Sequence, residues 1–239
     1  MTVQPHLPPD QADQPDGHDR GRAMPDNADL SGPPALPVFA YVIIALCVGV
    51  EMLNWAGQFD LLATPRLRNA IFEFFGFWPG LLDGWRENYP GQRFFMFFTY
   101  GFLHGGLLHL GMNMYTLWVM SGPIAERVGQ WGFASVYLGS MVGGAIGYAL
   151  LSPAPLPMVG ASGALFGLAG AITAWVVHDS KGWDALRALA RISAYLIAMN
   201  VVFWWALNGH LAWQTHLGGF LVGALLGHVL DRPARAGRA

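Results

Sequence analysis

Apolar residues in this chain gather into six long blocks. They cover residues 36–55, 106–122, 131–151, 162–178, 192–208 and 214–229, with ends loose by a few positions. Each block approaches the roughly 20 apolar residues that an α-helix needs to cross about 30 Å of hydrocarbon. The first holds a single charge, Glu51, near its end. The pattern predicts an all-α membrane protein, a six-transmembrane-helix bundle within a domain covering 36–231.

The segments between and around the blocks differ in kind. Residues 1–35 are rich in Pro, Asp, Gln and Gly and show no apolar period, so they are expected to form a disordered acidic cytoplasmic tail. They lack the basic stretch and apolar run of a cleaved signal peptide. Residues 232–239 form a short basic tail. The connection 57–105 is long and unlike a plain loop: Phe72, Phe74, Phe77, Trp78, Leu82 and Trp85 are interleaved with Asp83, Arg86 and Glu87. That mixture suits short amphipathic segments in the headgroup region, where aromatic rings are favoured. A small extramembrane subdomain is the alternative.

Composition sharpens this picture. Of 239 residues, 54% are apolar and 12% charged, against about 25% charged in soluble domains. Six acids face two arginines in residues 1–35, while the rest carries 11 bases and 9 acids. This excludes a basic nucleic-acid footprint. Cys47 is the one cysteine, which excludes an internal disulfide and a cysteine zinc site. No H-E-x-x-H occurs, so neither metal nor cofactor is expected. With both termini inside, nine Lys and Arg lie in inner regions and four in outer ones, all four in the 57–105 connection. The bias supports an N-in, C-in topology.

Polar groups at membrane depth are costly and so attract a functional hypothesis. Three clusters occur. H-G-G-L-L-H-L-G-M-N carries His104, His109 and Asn113, the last two spaced i, i+4 on one helical face. G-A-S-G-A-L-F-G places Ser162 where a loop turns into the fourth block. Q-T-H-L-G-G places His216 near the start of the sixth. Each has an ordinary reading: a serine bonded to its own helix, a histidine or asparagine bridging two helices. The expected topology, however, brings all three to one outward-facing level. Glycines at four-residue spacing, Gly163 and Gly167 in the fourth block and Gly219 and Gly223 in the sixth, would let those helices approach closely.

In these three motifs, and in E-R-V-G at 126–129, the sequence resembles the rhomboid family of intramembrane serine proteases over roughly residues 36–230. The resemblance implies a serine–histidine dyad without a third carboxylate. Ser162 would be the nucleophile and His216 the general base and later acid. His109, Asn113 and the Ser162 backbone N–H would form the oxyanion hole. Phe166 would pack on the catalytic imidazole, His104 would sit at the mouth of the site, and Gly160 would assist. The implied substrates are single-pass or multi-pass membrane proteins, cut within the lipid bilayer near its outer face. Access would be lateral, past the fifth block or the cap 209–213, with Trp204, Trp205 and Trp213 as gate candidates. One departure concerns a Trp-Arg pair that many relatives carry in the first loop. Phe95 and Met96 stand there, and Arg93 is expected to substitute in part. A non-cleaving scaffold and a small transporter are the rival readings. The Ala, Gly, Arg and Trp bias suggests a bacterial inner membrane.

Overall fold

The computed structural model describes residues 36–58, 66–152, 156–206 and 211–231. The acidic tail 1–35 and the basic tail 232–239 lie outside the described residues, as do 59–65 and parts of two short loops, including positions 209–210 of the cap. Apolar blocks become helices here. They are α1 (Val38–Gln58), α2 (Leu67–Phe75), α3 (Gln92–Thr99), α4 (Leu107–Leu151), α5 (Ser162–Asp179), α6 (Trp183–Ala206) and α7 (Trp213–Leu230). Short 3-10 turns occupy Pro79–Leu81 and Tyr100–Phe102. Among the described residues no strand forms, only an isolated antiparallel bridge between Phe77 and Met158.

Helix α1 illustrates how pattern becomes placement. Ala40, Ile43, Cys47, Glu51 and Asn54 recur at three- and four-residue steps and are buried, whereas Val38, Tyr41, Val42, Leu46 and Leu53 are exposed. A helix that is apolar on its exposed side as well is a membrane span or a deeply buried core helix. Among the described residues, two helical stretches are both long and apolar enough to cross a membrane, Val38–Gly57 and Leu107–Leu151. The second joins the two blocks 106–122 and 131–151 in one run of 45 residues, broken at Gly129 by φ 79° and ψ 169°. A positive φ there favours glycine, the residue without a Cβ.

The described part of the connection, residues 66–105, is held by specific contacts. Phe77 and Met158 exchange backbone hydrogen bonds of 3.0 and 2.9 Å, tying the connection to the chain that leads into α5. Phe77 packs edge-on against Phe97, Tyr100 and Tyr148. Arg68 pairs with the buried Glu51 at 2.6 Å and donates to the His104 carbonyl at 3.1 Å. Arg93, by contrast, bonds Glu87 within the connection at 2.8 Å and holds that carboxyl below its usual range. The anchoring expected of Arg93 therefore comes from Arg68, the Phe77 bridge and the fully buried Met96, while Phe95 is exposed.

Three helices meet backbone to backbone. A Cβ on Gly219 would collide with the Gly163 carbonyl, and one on Gly223 with the Gly167 carbonyl, so α5 and α7 touch with no side chain between them. Gly143 and Gly147 of α4 meet Gly218 of α7 in the same way. This contact sets the separation between the start of α5 and the start of α7.

The opposite end of the bundle is held by charge. Arg127, two residues before the α4 break, donates to Asp179 at 2.6 and 3.1 Å and to Asp231 at 2.8 and 2.9 Å. Its guanidinium lies 4.9 Å over the Trp175 ring. Arg127 holds both carboxyls below their usual range. Groups with depressed folded pKa stabilise above their unfolded pKa, and the contribution is lost as pH falls through the folded value. Arg127→Met is therefore expected to lower the melting temperature at neutral pH. The gap to wild type should narrow below about pH 3.9, the ordinary carboxylate value, leaving the part due to the Trp175 contact. Thermal unfolding in detergent across pH checks this; a pH-independent gap would remove the ion pairs from the account.

Candidate active site

The site is assembled by the turn that launches α5. Gly160 has φ 126°, and its amide donates to the Tyr100 carbonyl at 3.0 Å. A Cβ at this position would lie 2.8 and 2.9 Å from His109 ring atoms and 3.8 Å from Asn113 Nδ2. Only glycine meets both the dihedral and the clearance. The close approach sets the chain just before Ser162 against the two polar side chains of α4.

Ser162 begins α5, where unpaired N–H groups and the helix dipole favour negative charge. His216 stands on the first turn of α7, buried, with Nε2 2.9 Å from Ser162 Oγ. The two are 54 positions apart in sequence, and the α5–α7 glycine contact is what brings them together. Phe166, one turn into α5, stacks on the His216 imidazole with centroids 4.1 Å apart and planes within 4°.

The α4 groups take a defined hydrogen-bonding state. His109 Nδ1 accepts from the Gly105 amide at 3.3 Å, so a neutral ring carries its proton on Nε2, the edge turned toward Gly160. Asn113 is buried, and its Nδ2 has no protein partner. Two donors thus converge beside the α5 N-terminus. His104 departs from expectation: it lies not at a mouth but fully buried, its ring 5.1 Å from that of His109. Arg68 donates to its carbonyl at 3.1 Å.

Asn200 is the residue that sequence reasoning passed over. It sits on α6, and its Oδ1 is 2.7 Å from His216 Nδ1. The available signal was one amide in an otherwise apolar helical stretch, with no motif spacing to connect it to His216. Among the described residues the side chains that bond His216 are Asn200 and Ser162, neither of them a carboxylate. Beside the imidazole, a cavity of about 600 Å³ opens between α6 and α7, lined by Phe166, Asn200, Trp204, Trp213 and His216. Trp205 does not line it and is largely exposed.

A family model described as "Rhomboid domain" matches residues 91–233. The chain is 33% identical over 166 residues to "RHOMBOID-like protein 6, mitochondrial" of Arabidopsis thaliana, covering 66% of this chain and 50% of that one. It is 29% identical over 212 residues to "Rhomboid-related protein 3" of Homo sapiens, covering 82% and 49%. It is 32% identical over 130 residues to "Rhomboid protease GluP" of Bacillus subtilis, covering 52% and 24%. The chain therefore spans about half or less of the length of these relatives.

Proposed function

This chain belongs to the rhomboid family, and we propose on that footing that it is an intramembrane serine endopeptidase cutting transmembrane segments of other membrane proteins. The observation that carries the reading is the 2.9 Å approach of His216 Nε2 to Ser162 Oγ. A serine hydroxyl is a weak nucleophile until an adjacent base takes its proton. In the proposed reaction Ser162 Oγ attacks the scissile carbonyl carbon while its proton passes to His216 Nε2. The carbonyl oxygen becomes an oxyanion facing the Ser162 N–H, His109 Nε2–H and Asn113 Nδ2–H. One well-placed donor of this kind is worth about 3–4 kcal/mol in the transition state. Collapse breaks the C–N bond, and the leaving amine takes the proton from His216. Water, deprotonated by the same imidazole, then cleaves the acyl-enzyme.

The membrane frame belongs to the same proposal. Counting the two parts of α4 separately, with α1, α5, α6 and α7, gives six spans. With the N-terminus inside, the Ser162 end of α5 faces out and the Arg127 hub faces in. A substrate helix must unwind to offer a carbonyl to Ser162. Segments with helix-weakening residues near the outer boundary and a small residue before the cut should be preferred. The α6–α7 cavity, with Trp204 and Trp213 on its wall, is the proposed lateral access. Gly163, Gly167, Gly219 and Gly223 serve to set the dyad distance. Residence in a bacterial inner membrane rests on composition alone, since the relatives come from bacteria and eukaryotes, one of them described as mitochondrial.

The test uses the full chain reconstituted in liposomes with a single-span reporter substrate and a fluorophosphonate. Cleavage near the outer boundary, blocked by the reagent, with the adduct mapped to Ser162, is the expected result. An intact substrate together with an unlabelled Ser162 would instead favour a non-cleaving scaffold.

A further inference from the structure

A nearby serine is not enough to make His216 a base. A neutral imidazole has one N–H and one lone pair, and only the form with its proton on Nδ1 leaves Nε2 able to accept from Ser162. In water the two forms interchange freely, so something must choose. In serine–histidine–aspartate enzymes a carboxylate does so by accepting from Nδ1. Here the atom facing Nδ1 at 2.7 Å is the Oδ1 of Asn200.

The amide is itself oriented. Asn200 Nδ2 donates to the Leu196 carbonyl, one turn back on α6, at 2.9 Å. With the NH₂ group engaged there, the oxygen is the end left for α7, and an amide oxygen only accepts. The chain of bonds runs in one direction: Asn200 Nδ2–H to Leu196 O, His216 Nδ1–H to Asn200 Oδ1, Ser162 Oγ–H to His216 Nε2. Phe166, stacked face to face on the imidazole, fixes its plane. Both ring edges and one face are therefore constrained, by residues of two other helices, α5 and α6. A neutral amide also avoids placing a carboxylate at membrane depth, which costs a few kcal/mol.

We propose that Asn200 is a positioning residue that selects the Nδ1–H form of His216 and holds its ring in line with Ser162. The proposal rests on the dyad reading given above. Because Asn200 belongs to α6 and lines the α6–α7 cavity, the base is set only while α6 holds Asn200 within reach of His216. A substrate that displaced α6 on its way in would find the base correctly protonated only after α6 returned.

The deciding experiment is nitrogen-15 NMR of the full-length protein in detergent with labelled histidine, the His216 signals assigned by their loss in His216→Ala. Wild type is expected to show Nδ1 protonated and Nε2 unprotonated. Asn200→Leu, of similar size but without an acceptor, should show a mixture of the two forms. Its kcat should fall by about 100-fold, the scale of a roughly 1 Å misplacement of a catalytic group, with KM little changed. Asn200→Asp, which can still accept from Nδ1–H, should restore the Nδ1–H form and most of kcat. A merely structural Asn200 would change the melting temperature and leave the tautomer alone. Wild-type His216 carrying its proton on Nε2 would overturn the proposal, as would Asn200→Leu with wild-type tautomer and kcat. Should Asn200→Leu fail to fold, the wild-type and Asn200→Asp spectra still decide. Failure of the dyad reading registers separately, as absent cleavage by wild type, while the tautomer remains readable in the same sample.

Discussion

Ser162→Ala and His216→Ala are each expected to abolish cleavage of a single-span reporter substrate, a loss of about 10⁶-fold in kcat on the scale of other serine hydrolases. The two groups act as one device. Ser162 Oγ supplies the attacking electron pair, and His216 Nε2, 2.9 Å away, removes the proton that would otherwise hold the pair back. Without Oγ there is no acyl-enzyme, and without the imidazole the hydroxyl stays protonated near neutral pH. The double variant should therefore be no worse than either single one, since functionally coupled residues are far from additive. Ser162→Ala should retain the wild-type melting temperature within a few degrees, whereas His216→Ala, which loses the Phe166 stack and the Asn200 bond, should melt lower. Timed gel assays in liposomes read the rates. Cleavage persisting in Ser162→Ala at the wild-type rate would sink the mechanism, and ion or solute flux unaffected by either substitution would turn attention to a transporter.

Gly223→Leu is expected to leave no correctly folded protein, and Gly223→Ala to be destabilised by about 1–3 kcal/mol, the usual cost of overpacking. A Cβ at Gly223 would meet the carbonyl oxygen, carbonyl carbon and Cα of Gly167. All three are backbone atoms inside a helix, so no rotamer change can make room, and α5 and α7 must part. Gly223 is seven residues from His216, about 10 Å along the helix at 1.5 Å per residue. Parting the helices there should also carry His216 away from Ser162, so kcat of the Ala variant falls along with its stability. Gly49→Ala serves as the control, because a Cβ on that exposed face of α1 meets nothing within 4 Å. Its melting temperature and activity should match wild type. Thermal unfolding and cleavage assays on the three variants test the pair of claims, and an unperturbed Gly223→Leu would show that the α5–α7 contact can open without cost.

How much of this was legible before the fold was seen depends on the range of the interaction. The helical blocks were readable because the apolar run that makes a span is contiguous. The i, i+4 spacing of His109 and Asn113 placed both on one face of one helix, a matter of local geometry alone. The sharpness of the break within α4 is not readable, because the chain turns from one block to the next at a single non-helical residue, Gly129. A motif resemblance located Ser162 and His216, but their spacing of 54 positions carries no geometric information. His104 was misplaced for a related reason. Its neighbours in sequence are glycines and leucines, which carry no trace of the Arg68 guanidinium that bonds its carbonyl or of the His109 ring 5.1 Å away.

The amino-acid sequence by itself determined the class of molecule and its stock of chemistry. Apolar blocks of bilayer length dictate helices, and so low a charge leaves few groups able to do polar work. What only the tertiary structure decided is which of those groups meet. Arg127 finds Asp231 across 104 positions, and His216 finds both Ser162 and Asn200 on two other helices. Such pairings depend on which helices abut and how closely. That closeness is set by glycine carbonyls at atomic contact, a property of two surfaces together and of neither sequence segment alone.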